Sequence, residues 1–373
     1  MSGSAIRWAA LNLRCAGRPA LRRAILERVR SDRRPARMRD LLLEIAGPGW
    51  REAGRSELDR ARRHGAALLT LEDPRYPALL RASADPPPAL YVRGDLAPAD
   101  LLAIAVVGSR RCTPFGEETA SRIAGDLARR GFTVVSGLAR GIDAAGHRGA
   151  LRAGGRTIAV LGSGVDRIYP VEHRALAAAI AASGALLSEF PIGTPPLKHH
   201  FPQRNRVIAW LSWSTVVVEG ARDSGSLITA GLAADEGRLV HAVPGPAGAI
   251  WSEGTNALLR EGALLCRGAE DIAEDLAPQL SEAARLLAPS PTGADRRDSP
   301  EAGRAGAGPA PLTEAQRRVL ARLPEGIGVG VDRLAASCGM AAGPLLAVLL
   351  ELEIRGLVKQ LPGRVFVGSA CKS

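Results

Sequence analysis

The sequence of 373 residues has few cysteines and few aromatic residues, and these shortages exclude several classes of protein. Its five cysteines include no CxxC pair and no even framework, which argues against a zinc site and a secreted disulfide scaffold. No apolar run reaches the roughly 18 residues that a membrane span needs. The N-terminus also lacks the apolar core of a signal peptide. We therefore expect a cytoplasmic protein.

The motifs of common cofactor-dependent enzymes are also missing. The dinucleotide motif GxGxxG is absent, because Gly108 lacks its second glycine and Gly162-Ser163-Gly164 is followed by Val165. Neither loop matches GxxxxGK[ST], and there is no HExxH. We expect neither a cofactor nor a metal.

The charge, in contrast, is large and of one sign. The formal net charge is +11, and only three of the 49 basic residues are lysines. Such an excess favours a polyanionic partner. A composition rich in Arg, Ala, Gly and Pro is also typical of biased genomic base composition. The excess of arginine is therefore weaker evidence for a polyanionic partner than its size suggests.

Apolar strands alternate with amphipathic helices from about residue 104 onward. Strands of this kind predict a mostly parallel sheet covered on both faces, which is a doubly wound, Rossmann-like α/β fold. The predicted strands are 104–107, 133–135, 157–161, 185–187, 215–218 and 239–243, with a possible seventh at 263–266. The predicted helices between them are 115–130, 144–153, 172–182, 227–236 and 255–261.

The flanking segments have a different texture. The pattern of residues 1–70 predicts a small helical (SAM-like) domain with helices at 20–29 and 38–45. Residues 71–103 are predicted to form a proline-rich connector, which leads into the sheet domain of 104–277. Residues 278–311 predict a disordered linker. Three helices and two short strands predict a winged helix over 312–373. Its third helix, 344–355, is almost wholly apolar, which favours protein docking or backbone-only contacts over base reading.

Glycine- and serine-rich loops follow several of the predicted strands. In a parallel sheet the carboxyl ends of the strands form the ligand crevice, so these loops should share one edge. Gly lets the backbone approach an anion, Ser donates a hydroxyl, and a helix N-terminus offers free N–H groups. The residues concerned are Gly108, Ser109, Arg110, Arg111, Ser136, Gly137, Arg140, Ser224, Gly225 and Ser226.

A basic segment precedes the fifth predicted strand. It reads KHHFPQRNR over 198–206 and combines three cations with one aromatic ring and two amides. Single-stranded nucleic acid is bound by this combination, because cations contact phosphates, the ring stacks on a base and amides reach base edges. The alternative is a solvated basic loop. The side chains are Lys198, Phe201, Gln203, Arg204, Asn205 and Arg206.

A catalytic interpretation has its own candidates, namely Asp143, His147, Glu189 and Glu219. Asp143 is more simply the N-cap of the helix at 144–153, with His147 one turn later. Glu189 and Glu219 follow strand ends and could either bond a ribose or close the glycine loops. An enzyme such as a phosphoribohydrolase, with Glu219 as the acid–base residue, is the alternative function.

The strand-end motifs resemble those of the DNA-processing protein A family (DprA, also called Smf). The likeness covers roughly residues 70–272, on segments that read VVGSRR at 106–111, VVSGLARGIDAAGHRGAL at 134–151, GRTIAVLGSGVDRIYP at 155–170, SEFPIGTPP at 188–196, FPQRNRVIAWLS at 201–212, SGSLITAGLAADEGR at 224–238 and HAVPG at 241–245. The resemblance implies a non-enzymatic homodimer that binds and protects single-stranded DNA and loads the RecA recombinase onto it during natural transformation.

The same resemblance assigns roles to particular residues. It implies that Gly108, Ser109 and Arg110 contact phosphates, and that Ser136 and Gly137 add backbone donors. Stacking and charge would come from Lys198, Phe201, Arg204 and Asn205. A last anion-binding site would be formed by Ser224, Gly225 and Ser226. The sequence departs from the family pattern at Asp223, His173 and Trp210, where the family usually has a basic residue, Asn and a small residue.

Overall fold

The computed structural model describes residues 3–31, 44–287, 313–323, 329–340, 345, 348–349, 352, 357–361 and 365–368. The chain divides into two compact units, Met1–Ser290 and Pro291–Ser373. Each unit has its own apolar core.

A nine-stranded sheet forms the centre of the first unit. The strand order is β1-β2-β6-β5-β4-β3-β7-β8-β9, and the seven strands from β6 to β9 are parallel. The predicted doubly wound, mostly parallel fold is therefore confirmed. The strands are β1 Ala66–Thr70, β2 Ala89–Gly94, β3 Ala103–Val107, β4 Thr133–Ser136, β5 Thr157–Val160, β6 Ala185–Ser188, β7 Ser214–Val217, β8 Leu239–Ala242 and β9 Leu264–Leu265.

Helices cover both faces of this sheet. They are α1 Gly3–Cys15, α2 Pro19–Ser31, α3 Trp50–Arg63, α4 Ala78–Ala82, α5 Pro114–Arg129, α6 Ile142–Arg152, α7 Arg174–Ser183, α8 His200–Trp210, α9 Gly225–Asp235, α10 Ile250–Arg260 and α11 Ala269–Leu287. Short 3-10 turns lie at Pro98–Leu101 and Val171–His173. Among the described helices, none is both long enough and apolar enough to cross a membrane.

The two-sided core explains why the central strand β3 is apolar throughout. Successive residues of β3 point to opposite faces. Ile104 and Val106 pack in the cluster that includes Ile123 and Leu127 of α5. Ala105 and Val107 pack in the opposite cluster, which includes residues of α8. Because both faces are buried, every residue of β3 must be apolar.

The boundaries predicted for the first two segments differ from the structure. β1 lies inside the predicted helical segment 1–70, and β2 lies inside the predicted connector. Both extend the sheet, since β2 pairs antiparallel with β6 and with β1. The three prolines at 86–88 precede β2, so none of them removes a ladder hydrogen bond from it.

The predicted start of the linker at residue 278 is also wrong. Helix α11 continues through Pro278 to Leu287. Leu276 and Leu280 pack against the cluster beneath β3, so burial favours the helix on both sides of the proline. The rest of the predicted linker lies outside the described residues, as does most of the helix predicted at 38–45.

The second unit contains the elements expected of a winged helix. Helix α12 Glu314–Leu320 is capped by Thr313, whose Oγ1 accepts from the Gln316 N–H at 3.2 Å. Helix α13 is Val331–Cys338, and the strands are β10 Val329–Gly330, β11 Val358–Leu361 and β12 Val365–Gly368, all in one antiparallel sheet.

The third helix predicted for this unit, 344–355, lies mostly outside the described residues. Three of its leucines are described, and Leu345, Leu349 and Leu352 are buried in the core of the unit itself. These three side chains therefore stabilise the unit itself and are not exposed for the protein docking that the sequence favoured for this helix.

A buried ionic cluster joins the N-terminal helices to the sheet. Arg22 of α2 contacts Asp85 at 2.5 Å and Glu189 at 3.1 Å, and Arg206 of α8 contacts Glu189 at 2.5 Å. All four side chains are buried. Buried charges are tolerated only when they are paired, so these contacts fix the position of α2.

We expect Arg22→Ala to lower the free energy of unfolding by about 3–5 kcal/mol, because it leaves the buried Asp85 carboxylate without its ion-pair partner, while Glu189 keeps Arg206. Urea denaturation followed by circular dichroism measures the change. The control is Arg62→Ala, which removes an exposed pair with Asp59 and should change stability by less than about 1 kcal/mol. Equal stability losses in the two variants would show that the cluster is not an anchor.

Candidate nucleic-acid interface

The strand order brings two of the glycine-rich loops together. Since β3 lies between β4 and β7, the loop after β3 and the loop after β7 leave the sheet side by side. The Ser109 N–H donates to the Glu219 carbonyl at 2.7 Å, which joins the two loops. Open α/β sheets bind their ligands at this kind of crossover.

A cavity of about 460 Å³ opens between these loops. Its walls include nine of the binding residues that the sequence singled out, namely Gly108, Ser109, Arg110, Arg111, Arg204, Asn205, Ser224, Gly225 and Ser226. Ser224 caps α9, and its hydroxyl lies 2.8 Å from the Ser226 hydroxyl. The N-terminus of α9 and these two hydroxyls can bind an anion in the cavity.

A second cavity, of about 230 Å³, continues from the first. The two share Arg110, Arg111 and Ala139, and together we call them the rim groove. The second part is also lined by Gly137, Tyr169, Pro170 and Phe201, as well as Arg140. Arg140 is paired with Glu172, its Nε lying 2.6 Å from the carboxylate, so its charge is largely compensated.

Phe201 stands where the two parts of the rim groove meet. The Arg110 guanidinium lies 5.1 Å from the ring centroid, and the Arg204 guanidinium lies 5.9 Å from it. A Cβ at Gly162 would come within 3.0 Å of the ring, so the absence of a side chain there makes room for Phe201. Arg110 and Phe201, which come from separate segments of the sequence, therefore lie side by side.

Arg204 has a different role from the expected phosphate contact. Its side chain is buried, with 3% of the residue exposed, and it donates to the Gly137 carbonyl at 2.6 Å and to the Val160 carbonyl. Burial lowers the pKa of Arg204 to about 10, and the Asp143 carboxylate opposes that shift. The residue faces inward because α8 packs this side against the sheet, so Arg204 supports Phe201 from within.

Three further site residues differ from their predicted roles, because their polar groups are bonded inside the protein. Arg206 is buried against Glu189 and the Asp85 carbonyl, so it belongs to the ionic cluster. Ser136 is buried and donates its hydroxyl to the Val106 carbonyl at 2.7 Å. The Gly137 N–H, expected as a free donor, is given to Asp143 at 3.1 Å.

The remaining members of the basic segment lie at the periphery. Lys198 is exposed and Gln203 is half-buried, and neither lines the rim groove. Asn205 lines it but gives its amide to the Gly225 carbonyl at 3.3 Å. The segment is also helical from His200, not an extended loop.

The acid–base candidates are occupied by structural contacts. Asp143 is the second residue of α6 rather than its cap, and its carboxylate accepts from the Gly137 and Ala139 N–H groups at 3.1 and 3.3 Å. Burial raises the pKa of Asp143. His147 is fully buried, and its Nδ1 lies 2.7 Å from the Thr157 hydroxyl. Burial lowers the pKa of His147 to about 3, which makes it a weak base.

Glu219 also closes a loop. Its carboxylate accepts from the Thr113 N–H at 2.8 Å and from the Thr113 hydroxyl at 2.5 Å, and a side chain at Gly116 would collide with it. Of the two roles left open for this residue, these contacts favour the structural one. Within the described ranges, no group of three or more His, Cys, Asp or Glu is arranged to hold a metal ion.

Tyr169 is the residue of the rim groove that sequence reasoning missed. Its ring lies 5.8 Å from Phe201 and is 43% exposed. The sequence did contain a signal for it. Aromatic residues make up only 3% of the chain, and Tyr169 stands beside Pro170 in a loop that follows a predicted strand.

The departures from the family pattern leave the groove intact. Trp210 is buried and donates its indole N–H to the Leu232 carbonyl, so it packs behind the groove. The Nδ1 of His173 lies 2.9 Å from the Leu138 carbonyl. Asp223 is exposed and lines neither part of the rim groove.

Comparisons with known proteins identify relatives of this chain. The sequence model described as DNA recombination-mediator protein A matches residues 67–277, and the DprA winged helix domain matches 303–364. Protein Smf of Escherichia coli is 40% identical over 297 residues, which are 79% of this chain and 76% of the relative.

Two solved structures are also similar. The X-ray structure of DNA processing protein A from Streptococcus pneumoniae superposes with a TM-score of 0.61 at 31% identity, covering 74% of this chain and 98% of that one. DNA processing protein A from Helicobacter pylori, described for its single-stranded DNA binding mode, gives a TM-score of 0.52 at 31% identity, covering 58% and 98%.

The depressed pKa of His147 predicts how acid affects the fold. The unfolded chain takes up a proton near pH 6.5 and the folded chain only near 3, so this group contributes stability above pH 6.5 that is lost as the pH falls toward 3. NMR of histidine-labelled protein should show a neutral ring at pH 5. His147→Gln should flatten the fall in stability over this range, with His199→Gln controlling for loss of an exposed imidazole. A ring that titrates near pH 6.5 would contradict the prediction.

Proposed function

Because this chain belongs to the DNA recombination-mediator protein A family, we propose that it binds single-stranded DNA along the rim groove. The observation that carries the proposal is the contact between Arg110 and Phe201, at 5.1 Å, where the two cavities meet. An exposed cation beside an aromatic ring provides for one phosphate and one unstacked base together. The single-stranded DNA binding mode described for the Helicobacter pylori relative supports the same ligand.

The other groups of the groove suit a chain of phosphates. Ser109 and Arg111 lie on one side of the first cavity, and Ser224, Ser226 and the N-terminus of α9 on the other. These groups recognise phosphates and carry no sequence information. The amide of Asn205, which could read a base edge, is bonded to the Gly225 carbonyl. Binding should therefore tolerate any base sequence.

A second part of the proposal concerns partners. We propose that the protein acts in the cytoplasm as a homodimer, protects incoming single strands during natural transformation, and loads the RecA recombinase onto them. The family resemblance supports this part. We assign no catalytic step, since the Glu219 carboxylate is already bonded to both donors of Thr113.

We expect Arg110→Ala and Phe201→Ala each to weaken binding of a single-stranded oligonucleotide by about 1–3 kcal/mol, or about 5- to 150-fold. Their salt dependence should differ. Loss of one phosphate contact lowers the slope of log K against log salt by about 0.7, so Arg110→Ala should flatten the slope and Phe201→Ala should keep it. Fluorescence anisotropy at several salt concentrations measures both quantities.

Phe115→Ala is the matched control, because Phe115 is an exposed phenylalanine, 61% accessible, that lies outside the rim groove. Its affinity should equal that of the wild type. Unchanged affinity in both groove variants would refute the assignment of the groove. Release of free base from a panel of nucleoside monophosphates would instead support the enzymatic alternative.

RecA loading gives a further prediction. On single strands precoated with a single-strand-binding protein, the wild type should shorten the lag before RecA hydrolyses ATP. Arg110→Ala should leave the lag long, because the mediator must hold the strand that it delivers, whereas Phe115→Ala should behave as the wild type. A lag that Arg110→Ala shortens as well as the wild type does would separate loading from the groove.

A further inference from the structure

A third cavity, of about 750 Å³, lies beyond Tyr169 from the rim groove. Its volume is within the range of small-ligand sites. Its walls come from α3, β2, α7 and the loops that follow β5 and β6. We call it the arginine basin after its basic wall residues, which are Arg60, His64, Arg93, Arg167 and Arg174.

The charge of the arginine basin is only partly compensated. Arg60 pairs with Glu57 at 2.9 Å, and Arg167 lies 3.5 Å from Asp166. Asp166 is the one acidic residue in the wall. Arg93 and Arg174 are exposed, and neither forms an ion pair or hydrogen bond through its side chain with any described residue. Two guanidinium groups are thus available to an anion from outside.

The rest of the wall is apolar. Ile168, Val171, Leu186 and Ile192 line the basin, and Val171 remains 56% exposed although it is a large apolar residue. A phosphate alone would gain little from such a surface. Cations beside an apolar wall match the chemistry of a nucleotide, which presents phosphates together with a flat base.

Tyr169 connects the basin to the rim groove. It lines the second part of the groove and also the basin, and its ring lies 5.8 Å from Phe201. The two rings therefore stand in succession along one path, from Arg110 past Phe201 and Tyr169 to the arginines beyond. An aromatic side chain can stack with a base of any identity.

We propose that a single strand bound in the rim groove continues past Tyr169 into the arginine basin, where Arg93 and Arg174 bind its next phosphates. This inference rests on the proposed function and adds a second subsite to it. It predicts that the basin contributes only when the strand is long enough to reach it.

The test compares Arg93→Ala/Arg174→Ala with the wild type on oligothymidylates of about 5 and about 20 nucleotides, lengths that bracket common single-strand site sizes. Loss of two phosphate contacts should weaken binding of the long strand about tenfold and lower its salt slope by about 1.4. Binding of the short strand should be unchanged. Because both side chains are exposed, the double variant should fold normally, which circular dichroism checks.

The matched control is Arg23→Ala/Arg55→Ala, which removes two exposed charges that line neither the rim groove nor the arginine basin. It should bind both strands as the wild type does, apart from a small general electrostatic effect. A basin variant that binds the long strand as tightly as this control overturns the inference. An equal loss for both lengths also overturns it, because the effect would then be general electrostatics.

Arg110→Ala separates failure of this inference from failure of the proposed function. If Arg110→Ala weakens the short strand while the basin variant weakens neither, the groove stands and its continuation is wrong. If Arg110→Ala weakens neither strand, the groove assignment fails and the continuation fails with it.

Discussion

The guanidinium of Arg204 is a charge held almost entirely out of water, and the rim groove is built around it. It binds the Gly137 and Val160 carbonyls, faces Asp143 and lies under the Phe201 ring. Each contact offsets part of the desolvation penalty of a buried cation. A Cβ on Gly137 would come within 2.2 Å of this guanidinium, so the loop after β4 requires glycine there.

Helix α8 links the stability of the first unit to the geometry of its groove. Arg204 binds the loops at the carboxyl edge of the sheet, and Arg206, two residues later, binds Glu189 in the cluster that holds α2. Phe201 begins the same helix. The contacts that hold α2 and the contacts beneath the Phe201 ring therefore belong to one helix, α8.

The sequence predicted the parallel sheet because burial on both faces makes its strands mostly apolar. It predicted the shared edge of the loops because parallel strands have their carboxyl ends at one edge. It also singled out both Arg110 and Phe201, which lie 5.1 Å apart in the structure. It could not assign Arg204 and Arg206 to the interior, since arginine is usually exposed and only the pairing partners, distant in the chain, make burial possible. A short apolar strand at 89–92 is evident in the sequence, but the surrounding prolines place it in a connector and conceal its pairing with β1 and β6.

An internal cation also differs from an exposed one in its response to dissolved ions. Counterions gather around Arg110 and weaken its pull on a phosphate, but they have no access to Arg204 beneath the ring. The Phe201 ring thus keeps its orientation at high salt concentration, where the attraction between Arg110 and a phosphate is screened. In the proposed complex, dissolved salt would therefore weaken the contacts of the strand's backbone more than the stacking of its base on Phe201.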